Sequence, residues 1–186
     1  MTAINVRRER SIDIDAIGEL IRAAFFGMPY ADGDEAELVG ALRAQGALSV
    51  SLVAESEGTI VGQVAFSPAR ASARTLGWYA LGPLAVLPAH QRGGIGSALV
   101  RAGLDAILEL GAGGCILVGD PSYYSRFGFS LSPEHAPPGQ PSEFFMVKVL
   151  RRQPPVGPIH FHDAFGAPAQ HAAAADERRA RAGRRR

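Results

Sequence analysis

The sequence predicts a single α/β or α+β domain built on a mixed β-sheet. Three observations carry this reading. Segments with strand-like and helical periodicity follow one another in mixed order. The 186 residues are 47% hydrophobic and 20% charged, which suits one ordinary domain with a real core. A helix-like stretch ending near Leu110 carries so wide an apolar arc that it belongs on a sheet.

The elements follow in order. A short strand is expected near Ile4–Arg8. A helix over Asp13–Phe26 has Ile14, Ile17, Leu20, Ile21, Ala24 and Phe25 on one face, with Ser11 or Asp13 as its cap. Phe26–Gly33 reads as a loop from its Gly and Pro content. A second helix over Asp34–Gln45 stops at Gly46, a C′ glycine. Leu48, Val50 and Leu52 alternate with Ser49 and Ser51, so this strand is expected to have one wet face. The turn Glu57-Gly58 joins it to an apolar strand, Ile60–Phe66.

A loop around Ser67–Arg74 leads to a long strand, Leu76–Leu87, interrupted at Gly82-Pro83. Proline cannot donate to a ladder, so a bulge or a splayed edge is expected there. After a Gly-rich turn comes a helix to Leu110, with Ile95, Leu99, Ala102, Ala106 and Leu110 on one face. Cys115–Val118 is a buried-type strand, and Pro121–Phe127 a short helix with Pro121 near its first position. Phe129–Leu131 and Phe144–Leu150 form a last strand pair. Pro154–Pro158 is a linker, and Ile159–Gly166 is expected to dock on the body. The domain therefore spans residues 1–166, followed by an Ala/Arg-rich tail, 167–186. That tail has a possible lone helix over Ala172–Ala182 but no large apolar anchor, and is expected to be mobile.

Composition excludes several classes of function. The single cysteine, Cys115, rules out an internal disulfide framework and a Cys-cluster zinc site. No apolar run reaches the length of a membrane span, and the first residues lack an apolar signal core, so a soluble cytoplasmic protein with no membrane partner is expected. The net charge of +1 hides an asymmetry: six arginines and two acids lie from Asp176 onward, leaving the remainder at −3. A nucleic-acid-binding face is not expected on that mildly acidic body. The oligomeric state is left open, a homodimer included.

The chemistry is concentrated in Leu84–Pro88 and the turn that follows, Gln91-Arg92-Gly93-Gly94-Ile95-Gly96, before Ser97 and the helix. A helix start presents unpaired N–H groups and a positive dipole end. Glycines at 93, 94 and 96 let a ligand approach those groups closely, and Arg92 and the Ser97 hydroxyl add donors. A diphosphate is the natural occupant. A Walker loop is excluded, because it needs a lysine and Lys148 is the only one. The glycine spacing and position do not fit a Rossmann turn either.

The remaining pattern, Gln91-x-x-Gly94-x-Gly96, resembles the pyrophosphate loop of the GNAT superfamily of N-acetyltransferases. Two further features agree in order: the strand break at Gly82-Pro83, and Tyr124-Ser125-Arg126-Phe127-Gly128-Phe129, similar to the family's Tyr-x-x-x-Gly-Phe signature. The stretches Glu35-Ala36-x-Leu38-Val39, Leu42-Arg43, Val61-Gly62, Ala65–Pro68, Pro83–Val86 and Gly119-Asp120-Pro121-x-x-Tyr124 look like the YhbS-type subgroup of bacterial acetyltransferases, over roughly Asn5–Phe165.

The resemblance implies one mostly antiparallel mixed sheet with helices on both faces and a splayed central strand pair. It implies acetyl-CoA as co-substrate, with no metal, and an amine of an unidentified small molecule or protein as acceptor. Backbone groups of Leu84, Ala85 and Val86 would hold the pantetheine arm, and Gln91, Arg92, Gly93, Gly94, Ile95, Gly96 and Ser97 the diphosphate. The Val86 N–H would polarise the thioester carbonyl. Tyr124 would protonate the leaving thiolate, or else pack like Tyr123 beside Phe127 and Phe129. The sequence departs from the family at two places: Leu76–Leu87 contains no acid, and Leu117 stands where many members have asparagine. The general base is therefore unassigned, with Glu35 either a substrate contact or an ordinary first-turn helix acid. Two other readings stay open: a catalytically silent CoA-binding sensor or interaction domain, and an acyltransferase with a different donor or acceptor.

Other conspicuous residues have plainer readings. His160 and His162, two apart with no nearby thiol, are weak as metal ligands. His90 is expected on the loop surface. Trp78 and Tyr79 read as strand packing, with the alternative that one of them borders the acceptor cleft, and Cys115 as a small buried apolar residue.

Overall fold

The computed structural model describes residues 4–29, 31–71 and 77–166. The tail, its possible helix and the start of the central strand at Leu76 lie outside these residues. One seven-stranded sheet runs in the order β1-β2-β3-β4-β5-β7-β6. Its strands are β1 Ile4–Arg8, β2 Val50–Ser56, β3 Thr59–Ala69, β4 Trp78–Val86, β5 Gly114–Val118, β6 Ser130–Leu131 and β7 Phe145–Val149. Every pairing is antiparallel except β4 with β5. This is the mixed sheet expected from the order of elements, and mostly antiparallel as the resemblance implies. β3 runs on to Ala69, through the first three residues of the expected loop, because β4 pairs with it as far as Trp78.

Side-chain alternation assigns the two faces. Val50, Leu52, Val64, Phe66, Cys115 and Leu117 lie in one apolar cluster with Leu99 and Ile107 of α3, Ile95–Glu109. Val53, Ala65 and Ala85 face the other way, against Ile17, Leu20 and Val39 of α1, Ile14–Phe25, and α2, Glu35–Ala44. Helices therefore cover both faces. α3 lies close because residue 103 is glycine: a Cβ there would fall 2.2 Å from Phe66 Cε2.

On the second face the helices reach only partway. Over β4, β5 and β7 the layer is completed by a third cluster: Trp78, Ala80, Ile116, Phe145 and Val147 with Ile159. Ile159 belongs to the C-terminal segment, which docks as expected. His160 and Arg70 exchange backbone hydrogen bonds of 2.6 and 2.8 Å, Arg70 ion-pairs with Asp163, and Phe161 packs edge-on to Phe145.

Two expectations are corrected. β2 has no wet face: Ser51 is buried, donating its hydroxyl hydrogen bond to Glu9 and accepting one from Gln63 Nε2 at 3.1 Å. Arg43, reaching from α2 to Glu9 at 2.8 Å, helps close this polar cluster over the strand. Ser11 does not cap α1, since Ser11–Asp13 forms a 3-10 turn before the helix, and Asp13, though it stands at the N-cap position, makes no side-chain capping bond. The buried Asp13 carboxylate instead accepts from Arg10 N–H at 2.7 Å and from the Arg7 guanidinium at 2.7 Å.

Candidate functional site

The site grows out of a mismatch between β3 and β4. Val64 pairs with Leu84 but Phe66 pairs with Leu81, so Ala65 faces both Gly82 and Pro83. This is the bulge expected at the proline, and the Gly82-Pro83 peptide is cis. Before the bulge, Trp78–Ala80 pairs with Gly114–Ile116 of β5. Past it, β4 stays with β3 while Leu117 and Val118 of β5 pair only with β7. The two central strands thus part company at Leu81, and a gap opens between them.

The register shows which backbone groups face that gap. Leu87 donates to the Val61 carbonyl at 3.0 Å, so by alternation the Ala85 groups also point to β3. Those of Leu84 and Val86 point the other way, into the gap. The Val86 carbonyl confirms its direction by accepting from Gln91 Nε2 at 3.1 Å. Of the three strand residues expected to hold a ligand through their backbone, two face the opening and Ala85 is engaged with β3.

The loop beyond β4 begins with a 3-10 turn, Pro88–His90, and ends at the start of α3. Arg92 and Gly94 both adopt left-handed backbone, at φ 62° and 84°. Gly94 is the N-cap and has no side chain to bond the first-turn N–H groups. Ala98 N–H closes the first helical bond onto Gly94 at 2.9 Å, leaving the donors of Ile95, Gly96 and Ser97 at the open helix end. Arg92, Gly93 and Gly94 are exposed, and nothing lies within 4 Å of where a Cβ on Gly94 would stand. An anion fits this cradle: open space, a dipole end and first-turn N–H groups outside the helical bonding, with the exposed Arg92 two positions before the cap. Ile95 contributes only its backbone, because its side chain is buried against Gly62. Gln91 serves as a tie from loop to strand.

Across the gap stands α4, Pro121–Tyr124, continued by a 3-10 turn, Ser125–Phe127. Asp120 caps it, accepting from Ser122 N–H and hydroxyl at 2.8 Å each, and these bonds hold its carboxyl below the usual range. Gly128 ends the turn in left-handed conformation, and Lys148 Nζ bonds the Phe127 carbonyl at 2.7 Å. The two tyrosines diverge, as adjacent helical residues should. Tyr124 packs its ring edge on Gly119 and lies 6.0 Å from the Phe129 ring. Tyr123 reaches toward the helix start, its hydroxyl over Gly96, with the Arg126 guanidinium 4.5 Å from its ring centre.

Other candidates fall away from the chemistry. Glu35 binds the backbone N–H groups of Asp32 and Gly33 at 2.8 and 3.1 Å, so its carboxylate shapes the loop before α2. Trp78 and Cys115 are buried packing residues, and burial pushes the Cys115 thiol well above its ordinary range. His162 Nδ1 accepts from Ala164 N–H at 3.2 Å, and His90 is exposed. Among the described residues there is no cluster of three or more metal-ligating side chains, and no helix is long and apolar enough to cross a membrane. A groove between α1 and α2, bridged by Arg22 and Glu37 at 3.1 Å, lies apart from the loop after β4.

The parted sheet beside an open helix start makes this a mixed α/β fold with a site suited to an anion, and comparison with known proteins gives the family. Residues 14–129 match the Acetyltransferase (GNAT) family, and the chain belongs to that family. It is 40% identical over 132 residues to the Escherichia coli K12 protein described as "Uncharacterized N-acetyltransferase YhbS", covering 70% of this chain and 75% of that one. The crystal structure of a GNAT family acetyltransferase from Brucella melitensis in complex with acetyl-CoA superposes with TM-score 0.79 at 40% identity, covering 89% of this chain and all of that one. The E. coli YhbS structure in complex with CoA gives TM-score 0.80 at 34% identity, over 89% of this chain and 93% of that one.

Proposed function

We propose that this protein transfers the acetyl group of acetyl-CoA directly to a primary amine. The observation that carries the reading is the adjacency of the anion cradle at Gly94 to the outward-facing backbone of Leu84 and Val86. A diphosphate on the first lets a linear arm lie along the second, like an added strand. The complexes of similar proteins with acetyl-CoA and CoA support the same occupant.

The residues then divide the work. Arg92 and the N–H groups of Gly93–Ser97 hold the diphosphate, with Gln91 fixing the loop to β4. Leu84 and Val86 hold the arm, and the Val86 N–H polarises the carbonyl where negative charge develops. Bound acetyl-CoA supplies the activated thioester. The neutral amine forms a C–N bond to the carbonyl carbon as the C–S bond breaks. Tyr124 gives its phenolic proton to the departing thiolate, the amine's excess proton goes to water, and Tyr124 is reprotonated from solvent. Phenols and thiols are acids of comparable strength, so such a proton transfer has no large free-energy step to climb. Positioning and preorganised donors supply most of the acceleration.

The test joins calorimetry with acetyl-CoA to a thiol-release screen against amines. Tight acetyl-CoA binding with amine-dependent release of CoA is expected. Binding without transfer to any amine favours a sensor, and no binding removes the reading.

A further inference from the structure

Glycines in close contacts differ in what they make room for. Phe66 over Gly103 and Trp78 over Gly114 are fully buried, so there the missing Cβ serves the core. A Cβ on Gly82, at the bulge, would lie 3.7 Å from Phe165 Cε1, an ordinary contact. Gly119 is different. A Cβ there would fall 2.5 Å from Tyr124 Cε2 and 2.9 Å from Cδ2, and Tyr124 is only half-buried. Gly119 does not take left-handed backbone, so its conformation does not demand glycine. A glycine that alanine could replace gives up stability through the freedom of the unfolded chain. Space for the Tyr124 ring is what it supplies in return.

Three aromatic neighbours stand round that ring. Tyr123 meets it edge-on with ring centres 4.9 Å apart, Phe129 does so at 6.0 Å, and Phe127 is tilted to it at 6.4 Å. The backbone that carries the ring is fastened at both ends. Asp120 caps α4, and its carbonyl accepts from Tyr123 N–H and Tyr124 N–H at 3.0 Å each. Lys148 Nζ holds the Phe127 carbonyl where the turn ends. Gly119 is tied down as well, its N–H donating to the Phe144 carbonyl at 3.0 Å. The end of β5, which borders the gap, and the ring lying on it therefore keep one fixed relation. The absence of a single Cβ sets their separation.

We infer that Gly119 is the positioning residue of the proton donor: its bare Cα lets the Tyr124 ring lie against the end of β5, and so sets where the phenol stands along the gap. The inference rests on the role proposed above for Tyr124 in acetyl transfer. Gly119 itself touches neither substrate nor cofactor and acts only through Tyr124. Proton transfer needs donor and acceptor within hydrogen-bond reach. A displacement of about 1 Å, the order of shift that a Cβ on residue 119 forces on the ring, is enough to cost roughly 10²-fold in rate.

The experiment measures thiol release from acetyl-CoA with phenethylamine, spermidine and an alanyl peptide as probe acceptors. The proteins are wild type, Gly119→Ala, Tyr124→Phe and the double variant. On the best acceptor, Gly119→Ala should lower kcat roughly 10–10²-fold, with KM and the Kd for acetyl-CoA within about twofold of wild type. In the Tyr124→Phe background the same substitution should change kcat by less than about threefold, because no phenolic proton is left to misplace. Phenylalanine sets the same ring carbons against residue 119, so general damage to the fold appears in both backgrounds and cancels in the cycle. Equal loss in both backgrounds, or loss in neither, overturns the assignment of Gly119 and leaves Tyr124 as the donor. Wild-type kcat in Tyr124→Phe removes the donor and its positioning residue together. Wild type that binds acetyl-CoA and transfers to none of the probes also overturns the proposal, since Gly119 then has no donor to position. Wild type that does not bind acetyl-CoA brings down the transfer reading itself.

Discussion

The hydroxyl of Tyr123 stands over Gly96, so near that a Cβ on residue 96 would lie 2.7 Å from it. The contact spans the gap from α4 to the first turn of α3. Only the phenolic oxygen is in the way, because the ring carbon bearing it would be 3.8 Å from that Cβ, an ordinary contact. Gly96→Ala should therefore displace Tyr123 and weaken acetyl-CoA binding while barely changing stability, as alanine favours the helix by about 1 kcal/mol. Adding Tyr123→Phe should recover part of the affinity, a coupling that calorimetry on the double-mutant cycle reads directly.

Tyr124→Phe tests the proton donor. Ring packing on Gly119 and Phe129 should persist. Acetyl-CoA affinity should hold while kcat falls by roughly 10²-fold or more, as for other positioned acids. Tyr123→Phe should cost kcat much less. The reverse ranking in steady-state assays would hand the role to Tyr123.

Gly94→Asp tests the cradle. The new side chain meets open space, so the damage is chemical: a carboxylate among phosphates, plus a left-handed φ of 84° costing about 1–2 kcal/mol. Acetyl-CoA binding should vanish from calorimetry while circular dichroism shows the fold intact.

Gly103→Ala tests packing in the other direction. Helix propensity predicts a gain of about 1 kcal/mol. The Phe66 ring, 2.2 Å from the new methyl, forces a shift of core side chains that costs about 1–3 kcal/mol or more. Overpacking wins because Phe66 is fully buried and has nowhere to go. Urea unfolding should show a net loss of stability.

Asp13 sets an acid limit. Its side-chain hydrogen bond to Arg7, with help from Arg10, lowers the Asp13 pKa from 3.8 to about 2. Because the folded value is the lower one, the stabilisation is complete above the unfolded pKa and drains away as pH falls through about 2. Asp13→Asn should be less stable at neutral pH and lose this part of the acid dependence, visible in denaturation midpoints between neutral pH and about pH 2.

Local signals in the sequence went far. The glycine run before α3, the proline in β4 and Gly128 each dictate backbone geometry through their own chemistry, so the loop, bulge and turn were legible. What was hidden depends on distant pairing. Ser51 reads as solvent-facing until Glu9 and Arg43 close over it. Ser67 reads as a loop residue, because only the β4 register keeps it in the strand. Phe165 lies 83 positions from Gly82 in the chain, and no periodicity joins them. The best available hint was the apolar content of Ile159–Gly166, which says that the segment docks without saying where.

The parallel ladder between β4 and β5 has only three paired positions, Trp78–Ala80 with Gly114–Ile116. Mechanically, that makes the sheet two blades on a short spine. One blade is β1–β4 and the other, β5 to β7, comes entirely from residues after 113. The Trp78 ring lies on Gly114, where a Cβ would meet it at 2.3 Å, and so acts as the pivot pin. The width of the gap far from that pin is therefore held by side chains: Leu99 and Ile107 of α3 share one apolar cluster with Val64 and Phe66 on the first blade and with Cys115 and Leu117 on the second.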